Sequence, residues 1–405
     1  MALLKPFRGL RPPRSLVGKV ACPPYDVVNS AEARAYAAGN PDSFFQISRP
    51  EVALAQGVDE HSDAVYARGA HSLEDFLRRK VLERDRSAHF YVYRQKMGAH
   101  VQTGLVAAAS VDEYDRGLIK KHELTREDKE DDRTRHIDAL DANDEPVFLA
   151  YRAQPNIDAL IAEITAGPPE YDFVTDDGIA HTFWVAPEPF NFRLGAAFAA
   201  VDALYIADGH HRSAAASRVH ALRGGQAGNH GGFLAVVFPH DQLQILDYNR
   251  LVKDFNGASA EQFLARVAEK FTVEKTDRAK PGAVHHFGMF LGGQWYALAA
   301  RPGSWEHTPT GVLDVTILQR NLLAPLLAIG DPRTDKRIDF VGGIRGTAEL
   351  ERRVSSGSAA VAFAMFPTTL EQLMAIADAG EIMPPKSTWF EPKLRSGLVV
   401  HPFTE

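Results

Sequence analysis

The stretch YIADGHHRSAAA, Tyr205 to Ala216, constrains the fold more than any other part of the chain. ALYIAD is apolar enough for a buried strand, and HRSAAASRVHALRG has the alanine content and closing glycine of a helix. ADGHHR therefore lies where a strand turns into a helix. A helix start leaves backbone N–H groups unpaired at the positive end of the dipole, which suits phosphate or another anion. Gly209 lets the backbone approach such a ligand, and Arg212 offers a planar fork for phosphate oxygens. Asp208 has acceptors for a metal ion or a hydroxyl proton. His210 and His211 are adjacent and point apart, so one is expected to face the ligand while the other packs or holds Asp208. An N-cap aspartate followed by solvated histidines is the plainer alternative. The crowding of polar and permissive residues between an apolar strand and an alanine-rich helix favours a site.

A second constellation is LIKKHELTREDKEDDRTRH, Leu118 to His136. Lys121, His122 and Glu123 end an apolar stretch and offer a base or a pair of metal ligands. If the part after Thr125 is helical, Lys129, Arg133 and His136 share one face, a cationic stripe in which Arg133 and His136 are candidates for binding a cofactor's phosphates. The acids interleaved with them predict instead a solvated helix laced with ion pairs. DPRTDKRIDFVGGIRG joins a basic cluster to a glycine loop without a Walker A pattern. MPPKSTWFEPKLRSG sets Lys386, Lys393 and Arg395 among aromatics and prolines, either a rigid hairpin or a substrate-binding edge.

The rest reads as mixed α+β. HFYVYRQKM and VQTGLVAAASV form a hairpin about Gly98, and AHTFWVA, ALYIAD, GGFLAVVFP and LQILDYNRLV are further strands. Asn29 or Ser30 caps a helix over AEARAYAAG. A boundary is expected near KDFNGAS, giving domains at 1–255 and 256–405. The second domain opens on the capping box SAEQ at Ser259 and contains a hairpin turned at Gly292 and Gly293. A helix around LDVTILQRNLLAPLLA, the strand AAVAFAMF and a last helix boxed by Thr368 and Glu371 complete it.

With 45% hydrophobic and 24% charged residues the chain has ample core and no disorder signature. A net charge of −7 argues against a general duplex-DNA or anionic-membrane binder. No apolar run approaches a bilayer span, and MALLKPFRGLRPPRS is too short in apolar residues for a signal peptide, so a cytoplasmic protein is expected. Cys22 stands alone and excludes an internal disulfide.

PFRGLR, CPPYDVV, NPDSFFQISRPE, KKHELT, EPVFLAYR, YIADGHHR, DPRTDKRIDFVGGIRG and MPPKSTWFEPKLRSGL, in this order along nearly the whole chain, resemble the domain-of-unknown-function family 1015. DGHHR resembles the glycine–x–histidine–arginine turn of the ParB/sulfiredoxin-like superfamily, which includes partition nucleotidases, sulfiredoxins and a free-serine kinase. That resemblance implies a phosphate-binding α+β core of mixed sheets beside a second α+β domain. It also implies phosphate ligation by Gly209, His211 and Arg212. The kinase members use an acidic residue near the N-terminus to activate serine, and Asp26 of PPYDVV is the nearest candidate.

The reading that results is a small-molecule phosphotransferase with ATP or ADP as donor, Mg²⁺ on Asp208, and free serine or a similar alcohol as acceptor. Its catalytic candidates are Asp26, Asp208, His122 and Glu123. Its nucleotide-binding candidates are Gly209, His210, His211 and Arg212, with Lys121, Arg133 and His136. One rival is a hydrolase with a metal on His122, Glu123, Asp208 and His210. Another is a non-enzymatic nucleotide-gated module, against which stands the want of a helix-turn-helix segment or basic tail. Neither a nucleic-acid nor a membrane partner is expected, and the oligomeric state is left open.

Overall fold

The computed structural model describes residues 2–404. They divide into two compact units, and both are α+β. The first runs to Leu243 and resumes at Pro392, and the second is Gln244–Glu391. This corrects the expected boundary at 255 and 256. Tyr248–Val252 is an inner strand of the second sheet, hydrogen-bonded on both sides, so the chain has already changed units before KDFNGAS. The last residues return to the first unit, where Val400 bonds with Leu10 and Ser396 with Cys22.

The sheet of the first unit contains β1 (Leu4–Lys5), β2 (Tyr91–Met97), β3 (His100–Ser110), β4 (Ile119–Lys120), β5 (Val147–Tyr151), β6 (Tyr171–Val174), β7 (Ala180–Val185), β8 (Leu204–Asp208) and β9 (Gly232–Pro239). Its order is β4-β8-β5-β9-β3-β2-β7-β6, with β1 also on β3. β4 with β8 and β5 with β9 are parallel, while the remaining pairs are antiparallel. β2 and β3 are the expected hairpin, with Gly98 at φ 60° in its turn.

The longer helices of this unit are α1 (Ser30–Ala37), α2 (Asp63–Arg78), α3 (Glu127–Leu140), α4 (Pro155–Thr165), α5 (Pro189–Phe198) and α6 (His210–Leu222). α1 starts in a full capping box between Asn29 and Glu32. One sheet face carries Leu105, Ala107, Leu149 and Val237, which pack with Ile157 of α4 and Leu194 and Phe198 of α5. Each such large side chain adds about 1.5–3 kcal/mol of burial energy. Phe44, Phe45, Leu73 and Phe76 gather a second cluster that includes Leu140 of α3. Ile137 of α3 and Ala215 and Val219 of α6 share a smaller one. α3 is thus held from two sides. Among the described residues no helix is long and apolar enough to cross a membrane.

The second unit is built on an antiparallel sheet of β10 (Tyr248–Val252), β11 (Phe271–Thr276), β12 (His286–Leu291), β13 (Gln294–Ala300), β14 (Ile338–Gly342) and β15 (Val361–Met365), in the order β11-β13-β12-β15-β10-β14. Ser259 and Gln262 box the start of Ala260–Lys270 as expected. The last helix, Leu370–Asp378, is boxed by Thr369 and Gln372, one residue later than expected, and the Thr368 hydroxyl instead donates to the Ser387 carbonyl. The helical run from Asp314 passes through a π turn at Gln319–Leu323 just before Pro325, whose ring cannot fit the ordinary α ladder.

Candidate functional site

β8 ends at Asp208, and α6 begins two residues later. A bulge between Ile206 and Asp208 opposite β5 turns the aspartate out of register. Gly209 takes φ 94°, a left-handed conformation that glycine adopts without strain. An added Cβ there would lie 3.0 Å from Arg212 Nε, so the missing side chain also makes room for the guanidinium. Arg212 is buried, donates through Nη1 to the Pro146 carbonyl, and leaves Nε without a partner among the described residues. Burial opposes its charge, but Asp26, Asp208 and Glu145 outweigh that and raise its pKa.

The Asp208 carboxylate is fully engaged. Oδ1 accepts the Gly209 N–H at 2.8 Å and lies 3.9 Å from Arg212 Nη2, while Oδ2 accepts from Lys393 Nζ at 2.8 Å. Burial would raise its pKa, yet Lys393 and Arg212 hold it below the usual carboxylate range. The expected Mg²⁺ on Asp208 does not suit this donor set, since an ion would have to displace a lysine 185 residues away in sequence. Asp208 acts as the anchor that gathers two cations at the turn.

Behind Arg212 lies a buried carboxyl, Glu145. Its Oε1 accepts from the Tyr25 N–H at 3.1 Å and the Ser396 hydroxyl at 2.8 Å, and its Oε2 has no partner. Burial first, then Asp144 and Asp26, push its pKa up to about 8 against the pull of Arg212 and Arg133. A cavity of about 10 Å³ between Arg133, Glu145 and Arg212 has roughly the space of one water.

Of the α3 stripe, Lys129 is exposed, but Arg133 and His136 are not solvated. Arg133 is buried over the Tyr25 ring, 4.1 Å from its centroid, and pairs with Asp132 at 2.8 Å. His136 is buried on Asp144 at 3.0 Å. Packing against α2 and α6 overrides the polar pattern, because Tyr25, Asp132 and Asp144 satisfy these groups internally. Arg133 therefore lines the cavity beside Glu145 and Arg212, and with His136 and Lys129 it also borders a cleft of about 50 Å³ with Tyr25 and Arg49.

The two histidines of the motif engage different neighbours, His211 the Arg126 backbone and His210 the His122 ring. His211 is half-buried, and its Nε2 accepts the Arg126 N–H at 3.0 Å. Burial lowers its pKa, consistent with a neutral acceptor. His210 is buried edge-to-face on His122, with ring centroids 4.5 Å apart. Burial holds His122 down at about 4 and His210 well below its usual value. Lys121 is exposed over the Tyr114 ring, 3.7 Å from its centroid. His122 and Glu123 stand with His210. Asp26 is exposed, within electrostatic reach of Arg212 and His211.

Residues 4–316 match the model of the family described as Protein of unknown function (DUF1015). The chain belongs to this family. No curated protein matches the DUF1015 chain. Among solved structures, a free serine kinase in complex with AMP is 14% identical over 69% of this chain and 85% of its own, at a TM-score of 0.34. SbnI with a C-terminal truncation from Staphylococcus aureus is 12% identical over 72% and 85%, at 0.39. A conserved hypothetical protein from Pyrococcus furiosus is 15% identical over 69% and 88%, at 0.33. Likeness at this level leaves the chemistry to be read from the DUF1015 chain's own residues.

Two residues of this DUF1015 site escape sequence reasoning. Lys393 is visible there only as part of a basic cluster, and Glu145 only as an acid before a proline in NDEPVF. The glycine loop of DPRTDKRIDFVGGIRG packs tightly at two of its glycines. A Cβ on Gly342 would meet the Trp389 ring at 2.8 Å, and one on Gly343 would meet Asp247 at 2.6 Å, so both glycines serve close packing. At the turn itself Gly209→Ala is expected to cost about 1–3 kcal/mol, because alanine pays the strain at φ 94° and crowds Arg212. Thermal melting checks this, and an unchanged melting temperature would show that the turn relaxes freely.

Proposed function

We propose that the protein is a small-molecule phosphotransferase that moves a phosphoryl group from ATP or ADP to an alcohol such as free serine. The observation that supports it best is Arg212, a buried guanidinium with an unpartnered Nε, lying against a positive-φ glycine at the first turn of α6. Phosphoryl transfer asks a protein chiefly for positioning and positive charge about the moving group. Phosphate oxygens take the free N–H groups of the α6 first turn and the Arg212 fork. Lys393, fixed by Asp208, adds a second cation beside them. Mg²⁺ carried on the donor's phosphates supplies the remaining charge neutralisation.

Asp26 is the proposed base. It accepts the proton of the acceptor hydroxyl as that oxygen bonds to the terminal phosphorus. The bond from phosphorus to its bridging oxygen breaks, and the nucleotide leaves one phosphate shorter. His122 and Glu123 have no part in this step.

The test is incubation with each nucleotide, Mg²⁺ and serine or other small alcohols, followed by mass spectrometry of the products. A phosphorylated alcohol with matching loss from the nucleotide supports the proposal. Nucleotide binding with no transfer to any alcohol would reduce the protein to a binding module. Asp26→Asn is expected to lower turnover by about 10²–10⁴-fold, the usual worth of a positioned base, while nucleotide affinity stays within a few-fold. Full activity in that variant clears Asp26 of the role.

A further inference from the structure

We propose that His122, Glu123 and His210 form a binding site for a divalent first-row transition ion, with zinc as its natural probe. The site shares His210 with the phosphate turn, using its ring rather than its backbone N–H, and goes beyond the phosphotransferase reading. Topology brings its members together. β4 and β8 run parallel, with Ile119 opposite Leu204 and Lys120 opposite Tyr205, so both strands leave the sheet at the same end. His122 and Glu123 follow the first strand, and His210 opens the helix after the second.

The donor atoms of the three residues lie within 4.8 Å of one another. Zinc–nitrogen bonds of about 2.0–2.1 Å set tetrahedral donors roughly 3.4 Å apart, so ring rotation and a swing of the carboxylate must draw them in.

Two nitrogens are decisive. Among the described residues His122, 2% exposed, has no partner for its Nδ1, and His210, 6% exposed, has none for Nε2. A buried polar atom left unpaired costs roughly 1–3 kcal/mol, so two on rings packed edge-to-face ask for a shared partner. The other nitrogen of His122 hydrogen-bonds the Ile206 backbone, which leaves a lone pair on Nδ1. Metal-bound histidines are typically oriented by such a bond.

The donor set also selects the ion. Two imidazoles and one carboxylate suit zinc, cobalt, iron or manganese, whereas Mg²⁺ and Ca²⁺ prefer all-oxygen shells. Asp208 is outside the set because Lys393 and Gly209 hold its oxygens. Three protein ligands leave a fourth position open, as in zinc sites that bind water or substrate.

The experiment uses the full chain stripped with chelator, titrated with Zn²⁺ by calorimetry and with Co²⁺ by visible absorption, without nucleotide. One equivalent of Zn²⁺ bound below about 1 μM is expected, together with a Co²⁺ d–d spectrum that millimolar Mg²⁺ does not remove. His122→Ala is expected to weaken binding by roughly 100-fold or more, since even groups that only orient metal ligands cost 10- to 100-fold. Glu123→Gln, at an exposed position that does not endanger folding, is expected to weaken it at least tenfold on the same scale.

His220 and His230, whose Nδ1 atoms lie 2.8 Å apart, are the competing pair. His230→Ala should leave the titration unchanged. Absence of a stoichiometric ion, wild-type affinity in Glu123→Gln, or loss of binding in His230→Ala overturns the proposal. Because no nucleotide is present, failure here leaves the phosphotransferase reading standing, and the reverse holds too.

Discussion

Arg212→Ala is expected to weaken nucleotide binding by roughly 30- to 150-fold, the worth of about 2–3 kcal/mol of charge-assisted hydrogen bonding. The guanidinium is buried at the turn and keeps an unpartnered N–H donor there. Its removal also strips a counter-charge from Asp208 and Asp26. Breaking a buried ion network costs about 3–5 kcal/mol, which lowers the melting temperature by roughly 10 °C in a unit of this size. Affinity must therefore be measured well below that transition, by calorimetry with ATP and ADP in turn. Arg212→Lys keeps the charge but loses the planar fork, so it should recover stability more than affinity. Undiminished nucleotide affinity in folded Arg212→Ala would remove the phosphate site from this turn.

The second large effect concerns Glu145 and pH. A carboxyl whose folded pKa of about 8 exceeds the ordinary value of 4.5 holds its proton more tightly in the fold than in the unfolded chain. Its contribution to stability is full below about pH 4.5 and drains away as pH rises toward 8. Wild-type protein should therefore lose stability from this group between pH 5 and 8, by an amount on the order of 2–4 kcal/mol. Glu145→Gln keeps an oxygen for the Tyr25 N–H and the Ser396 hydroxyl but cannot ionise. The buried histidines act in the opposite sense as pH falls, and they are common to both proteins. The difference between the two urea-unfolding curves thus isolates Glu145. Parallel stability profiles for wild type and Glu145→Gln would show that the carboxyl is ionised throughout.

What is legible in the sequence is local. The β2–β3 hairpin, the caps at Asn29 and Ser259 and the strand–glycine–helix turn each depend on residues within a few positions of one another. Backbone geometry and nearest-neighbour hydrogen bonds decide such features, so composition over a short window carries them. The first threonine of TTLEQ misleads for the converse reason, since its hydroxyl points to the Ser387 carbonyl, outside the window.

The sequence by itself therefore determined the mixed α+β character, the turn at Asp208 and Gly209, and the place of Arg212 beside it. Only the tertiary structure decided which charges work together there. Lys393 reaches Asp208 across 185 residues, Ser396 reaches Glu145 across 251, and α3 turns Arg133 and His136 inward onto Tyr25 and Asp144. The same holds for the domain boundary, where β10 belongs with strands found about 90 and 110 residues later. The physical reason is shared by all these cases. Burial energy and buried charge depend on neighbours in space, and a one-dimensional pattern reports only neighbours in the chain.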